Sequence, residues 1–197
     1  MELPQLYRDI LSNDAVQEIL AGPFDFEVVT PGQNISEHQI LCSAELTILA
    51  REGAGGIFAL FGDADVETRP VIFVSSEGQA GKIADNFNEA IELIVTFPYW
   101  SDLLKFSGGG KIDEMRKSQI HLQRELAEDE PDIDKIQKNI LGLLNIKTTA
   151  DPVLKLNQAV KSKLEKEIKG MDGSDFESLF NTFVVENNPM WTKADPR

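Results

Sequence analysis

Ser76-Glu77-Gly78-Gln79-Ala80-Gly81-Lys82-Ile83 follows an apolar run and holds glycines and a lysine roughly in the order of a phosphate-binding loop. Such a loop works because glycine amides cradle the phosphates, the lysine reaches them, and a following hydroxyl ligates magnesium. Here Ser76 stands where glycine is required, and Ile83 stands where Ser or Thr is required. Glu77 would also set a negative charge beside the phosphates. The stretch is therefore read as a tight turn, with Gly78 supplying a positive φ and Gly81 starting a helix. Gly108-Gly109-Gly110-Lys111 follows no strand and makes a weaker case.

Other chemistries find less support. His38 and His121 are far apart, and neither has a second ligand at helical spacing, so no metal is expected. Asp63, Asp65 and Glu67 superficially resemble calcium ligands but lack the glycine and the distal glutamate of an EF-hand loop. They read as a solvated connection between strands. Ser75 and Ser76 lie outside a GxSxG elbow, and Cys42 has no local base. Neither catalytic residues nor a cofactor are expected, although a tertiary carboxylate or histidine site would leave no such signature.

The elements that must position these residues follow from periodicity. Residues 3–20 have helical spacing, broken at Ser12-Asn13-Asp14 and stopped by Gly22-Pro23. Phe24 to Val29 alternates as a strand, and Gln39 to Cys42 adds a short one. Glu45 to Ala50, Ile57 to Phe61 and Val71 to Val74 read as further strands. Residues 81–97 form the expected core helix, with Ile83, Ala84, Phe87, Ala90, Ile91 and Ile94 on one face. Trp100 to Phe106 is a further apolar helical segment, and Ser107-Gly108-Gly109-Gly110 is expected as a flexible joint.

Beyond the joint the pattern is helical. Expected helices cover 111–127, then a segment capped by Asp132, then one opened by Asp151-Pro152 and lined by Val153, Leu156, Val160, Leu164 and Ile168 up to Gly170. Along this helix Lys161, Lys163, Lys166 and Lys169 alternate with Glu165 and Glu167, which reads as salt-bridge support. Ser174-Asp175-Phe176-Glu177 has the form of a capping box opening a last helix, with Phe176, Leu179, Phe180 and Phe183 inward. The organisation expected is a mixed α/β part, residues 1–106, and a helical extension, 111–197.

Charge narrows the function classes. The net charge is −14, and residues 1–110 carry most of it, with 17 acidic and 5 basic side chains. An acidic surface repels phosphate backbones and attracts basic proteins, so direct nucleic-acid binding is disfavoured. The same acidity can serve solubility alone. With 42% hydrophobic and 26% charged residues the chain has the composition of a folded globular protein. One cysteine permits no internal disulfide. Met1 to Gln5 has no signal-peptide character and no apolar run approaches a membrane span, so a cytoplasmic protein without a membrane partner is expected. The Asn34-Ile35-Ser36 sequon then carries no meaning.

One block carries a family pattern: Gly53, Gly55, Gly56, Phe58 and Leu60, then Pro70, Val71 and Phe73, then Ser76, Glu77 and Gly78, followed by Ala84-Asp85-Asn86-Phe87 and Ile91. In order and type it resembles the SUKH superfamily, the Smi/Knr-like group of cell-wall regulators and bacterial immunity proteins, over about residues 24–106. The resemblance implies an α+β fold, a twisted, mainly antiparallel sheet with packed helices, ahead of the helical extension. It also implies no enzymatic activity and a role in binding another protein, often a toxin. The glycines Gly53, Gly55, Gly56 and Gly78 are then structural turn residues. Asp63, Asp65, Glu67 and Glu77 are the candidate partner-binding residues for a basic partner. A homo-oligomeric regulatory protein and an enzyme with a tertiary carboxylate site are the alternatives.

Overall fold

The computed structural model describes residues 2–30, 40–162, 164 and 168–193. His38, the Asn34 sequon, Lys163, Glu165, Lys166 and Glu167 lie outside these residues. The fold is α+β. Five antiparallel strands form a sheet in the order β1 (Glu27–Val28), β3 (Leu46–Arg51), β4 (Ile57–Phe61), β5 (Val71–Val74), β6 (Ala80–Ala84). A second antiparallel pair joins β2 (Ile40–Cys42) to β7 (Ile168–Gly170).

Every residue of β4 and β5 is buried, because both faces of the sheet are covered. Side chains alternate along a strand, so Phe58, Leu60, Val71 and Phe73 enter one core while Ile57, Ala59, Ile72 and Val74 enter the other. The first core is closed by helices: α1 (Gln5–Leu11), α2 (Asp14–Ala21), α3 (Phe87–Thr96), α4 (Trp100–Lys105), α5 (Ile112–Asp129), α6 (Ile133–Leu143) and α7 (Pro152–Lys161). Phe58 is central to it, with ring centroids 5.0 Å from Phe26, 5.0 Å from Phe73 and 5.9 Å from Trp100. Met115, Ile140 and Leu156 of the later helices share this core with the sheet. The second core is closed by Ile40 and Ile168 of the β2–β7 pair.

A bulge tunes β3. Its register with β4 shifts between Ile48 and Ala50, leaving Leu49 out of the ladder. The Leu49 carbonyl instead accepts from the Val29 amide at 3.0 Å and from the buried Tyr7 hydroxyl at 2.7 Å. The same hydroxyl lies 2.7 Å from the Val29 carbonyl, so α1 is bonded to β3 and to the backbone just after β1. Burial holds the Tyr7 phenol well above its ordinary pKa, and it remains a donor.

Several sequence expectations are corrected. The expected strand from Phe24 to Val29 contracts to the two residues of β1, because Asp25 adopts φ +48° and Phe24 and Phe26 both enter the helical core. The chain after Ser75-Glu77-Gly78 does not enter a helix. Ser75 donates its amide to the Gln79 carbonyl at 2.9 Å, Gly78 takes φ +88°, and residues 80–84 return as β6. Ile83 and Ala84 are strand residues; the helix starts at Phe87, where the Asn86 side chain caps the Glu89 amide at 3.0 Å.

The C-terminal half departs further. The Ser107–Gly110 stretch is a fixed turn: Gly108, Gly109 and Gly110 all have positive φ, and Ser107 is fully buried. Asp132 precedes α6 without a side-chain cap bond. α7 is capped by the Asp151 side chain on the Leu154 amide at 3.0 Å but ends at Lys161, and Ile168 and Gly170 belong to β7. Ser174 opens no helix. Its hydroxyl donates to the Asp172 carboxylate at 2.6 Å, and the following residues run extended to a single 3-10 turn at Val185–Asn187 and a short helix, α8 (Pro189–Lys193). The helical extension is thus helical from Ile112 to Lys161 and then adds a strand and an extended strap.

Candidate functional site: an acidic rim and its groove

The β4–β5 connection carries Asp63, Asp65 and Glu67, all exposed. Each is held by a backbone amide. Asp63 accepts from the Glu45 amide at 3.3 Å, Asp65 from the Glu67 amide at 3.0 Å, and Glu67 from the Gln5 amide at the start of α1 at 2.7 Å. Val66 is buried beneath the loop, and Arg69 is only 8% exposed. Arg69 donates to the Ala64 carbonyl at 2.8 Å and pairs with Glu45 at 3.1 Å, which ties the loop to the sheet. A carboxylate has about four lone-pair sites, so one bonded amide leaves Asp65 and Glu67 further accepting capacity. The loop presents fixed anions.

Glu67 also lines a groove of about 550 Å³ between α1, α3 and the α6–α7 connection. Asp9, Glu89 and Glu92 supply three more carboxylates to its lining, and Lys147 and Lys155 the cations. A narrower chamber of about 190 Å³ shares Glu89, Glu92, Thr149 and Lys155 with it and adds the Lys82–Asp85 ion pair at 2.7 Å. Lys155 neutralises Glu89 at 3.0 Å. Glu92, 4% exposed, accepts from the Thr149 amide, which closes the inner wall. Asp9 and Glu67, at the α1 side, face no lysine among the described ion pairs. The groove can therefore accept cationic groups at its outer end. Asp9, Glu89, Glu92 and Lys155 were missed by the sequence reading; one signal was Glu92 lying inside the apolar run Ala90 to Phe97.

Glu77 sits elsewhere. It lies in the β5–β6 turn, at the opposite end of the sheet from Asp63–Glu67, separated by at least the length of β5, about 13 Å at ~3.3 Å per residue. Its charge acts on Glu52 of the β3–β4 turn. The Glu52 carboxyl is raised above its ordinary pKa, first by burial, then by Asp25 and by Glu77, against a bond from the Gly56 amide. Gly53 donates to Asp25 at 2.8 Å, and Gly55 takes φ +93°. A Cβ on Gly56 would lie 2.5 Å from the Phe73 ring, so only glycine fits there. The four candidate carboxylates thus form two surfaces.

The Ser75 hydroxyl accepts from the Glu77 and Gln79 amides at 3.3 and 3.1 Å and is occupied in the turn. With β6 in place of a helix, no N-terminus follows the turn to face a phosphate. The Cys42 sulfur accepts from the Ala44 amide at 3.3 Å. His121, on α5, stacks on Trp191, 5.1 Å between centroids, and lines neither the groove nor the chamber. Among the described residues no cluster of three His, Cys, Asp or Glu side chains could hold a metal, and no helix is long and apolar enough to cross a membrane. No family model, curated protein or solved structure matches the chain.

Proposed function

We propose that the protein is a non-catalytic acidic binding module that docks a basic protein on the Asp63–Glu67 rim and the outer end of the adjoining groove. The observation that carries this reading is the rim itself: three exposed carboxylates, each pinned by a backbone amide, beside a groove to which Asp9 adds a fourth. Preorganised charge raises the rate of encounter with an oppositely charged partner and opposes wrong ones. The resemblance of residues 24–106 to the SUKH superfamily makes a toxin the favoured partner class, with the protein acting as its immunity factor in the bacterial cytoplasm. Glu77 belongs to a separate surface and is left out of the main contact.

The test is stopped-flow association with the basic product of a neighbouring toxin gene. Charge reversal by Asp63→Lys, Asp65→Lys and Glu67→Lys together is expected to slow association by about tenfold to a hundredfold at low salt, with Glu77→Lys changing it far less. An association rate indifferent to salt and to the triple reversal would overturn the assignment.

A further inference from the structure

β6 is the last strand of the sheet, and the chain's own C-terminal segment meets its outer edge at the strand's first residue, through one isolated bridge between Gln79 and Glu177. After β7 the backbone turns at Asp172-Gly173, where Gly173 has φ +82°. The Glu177 carbonyl then accepts from the Ala80 amide, and the Glu177 amide donates to the Gly78 carbonyl, both at 2.9 Å, as a parallel bridge. The Gln79 side chain adds a bond to the Ser178 carbonyl at 3.0 Å.

Two glycines receive the side chains that follow. Leu179 fills the space over Gly81, where a Cβ would lie 3.1 Å from its Cδ1. Phe180 covers Gly110, where a Cβ would lie 2.9 Å from its ring. The backbone is then gripped again. The Asn181 and Phe183 carbonyls accept from the Gly109 and Gly108 amides, both at 2.8 Å, and the Asn181 amide donates to the Leu104 carbonyl at 3.1 Å. At the far end Trp191 packs against Phe106 with the rings tilted and centroids 4.5 Å apart, and donates to the Glu125 carboxylate.

Main-chain bonds at a sheet edge with notches for successive side chains are how proteins bind extended peptides. Here the binder and the peptide belong to one chain. The attachment is thin: from Met171 to Met190 the only buried side chain is Leu179. Segments with few buried apolar contacts open at lower cost than the core.

We propose that the outer edge of β6, the Gly81 notch and the Gly108–Gly110 turn form a peptide-binding track. Residues 174–184 hold it closed, and it opens to take an extended segment of a partner protein carrying adjacent aliphatic and aromatic side chains. The strap is the internal competitor, tethered at an effective concentration in the millimolar range, so an incoming segment must outbind it. The track is separate from the acidic rim, and its test does not depend on the rim's partner.

The first measurement uses the wild-type full chain. Amide hydrogen exchange in rising, sub-denaturing urea is expected to show Ala80, Gly108, Gly109, Glu177 and Asn181 opening together. They should exchange about tenfold or more faster than the Phe58 and Ala59 amides of β4. Exchange of these amides only through global unfolding, or independently of one another, would overturn the proposal. The second measurement adds a fluorescein-labelled peptide of residues 174–192 to the full chain carrying Leu179→Ala and Trp191→Ala. That variant is expected to bind the peptide at least about tenfold more tightly than wild type does, because its own strap no longer competes. A folded variant that binds the peptide no better than wild type would equally refute the track. If the variant does not fold, the wild-type exchange result decides.

Discussion

In β4 and β5 every side chain is buried, whereas along the twenty residues from Met171 to Met190 Leu179 alone is. Both contain Phe and Val and both are tied by main-chain hydrogen bonds, the strands along their length and the strap at Glu177, Asn181 and Phe183. They differ in what lies on either face. The strands sit between two cores, so their order comes from apolar area removed from water on both sides. The strap has glycines beneath it and solvent above, so its order comes from backbone bonds and two anchors, Leu179 and Trp191. One region should fail only with the whole fold, and the other should fail by itself.

The largest effect is expected in the strands. Phe58→Ala removes a ring that touches Phe26, Phe73 and Trp100 and should cost about 3–5 kcal/mol, read as a fall in the urea midpoint for all probes together. Gly110→Ala should act on the strap instead. The position has φ +88°, which costs a β-carbon about 1–2 kcal/mol, and the new methyl meets the Phe180 ring. Its expected signature is faster exchange at Gly108 and Gly109 with the β4 amides unchanged. A uniform loss of protection in both regions would erase the distinction between them.

The same contrast explains what the sequence disclosed. β4 and β5 were legible to the residue because two covered faces enforce a short continuous apolar run, which is a local pattern. α1, α2 and the Asn13 break between them were equally legible from spacing and capping. Ile83 and Ala84 were misplaced because apolar pairs satisfy either period, and the hairpin turn at Ser75–Gln79 decided the matter. Ser174-Asp175-Phe176-Glu177 has a helix-opening pattern, yet Asp172 takes the Ser174 hydroxyl and the β6 edge takes the Glu177 backbone. Tertiary partners outbid a local preference there. For the candidate site, the exposed carboxylates at Asp63–Glu67 could be read from a polar connection between strands. Their union with Asp9, contributed by α1, could not, since only packing brings α1 beside that loop.

Acid should push the turns of the two regions in opposite directions, which gives the smallest but cleanest test. At the β3–β4 turn, Glu52 is raised above its ordinary value of 4.5, so the native state holds its proton more tightly than the unfolded chain. Stability from this group therefore falls as pH climbs from the unfolded value through the raised native one, and is recovered on acidification. At the strap turn, Asp172 is lowered below its ordinary 3.8 by the Ser174 hydroxyl and amide, so its contribution is present above that value and is lost as pH falls through the lowered native one. Glu52→Gln keeps an oxygen for the Gly56 amide while removing the charge that Asp25 and Glu77 oppose. It should add a few tenths of a kcal/mol at pH 7, the gain shrinking to nothing near pH 4, measured by urea denaturation across that range. Asp172→Asn should leave the β4 midpoint alone and loosen only the Gly170 amide bond to Ser174, seen as a lower protection factor at neutral pH, relative to intrinsic exchange at the same pH, that acid no longer lowers. If Glu52→Gln instead destabilised the protein at pH 7, the carboxylate would be acting as a needed acceptor. The acidic turn would then be a structural clasp, with no strain for acid to relieve.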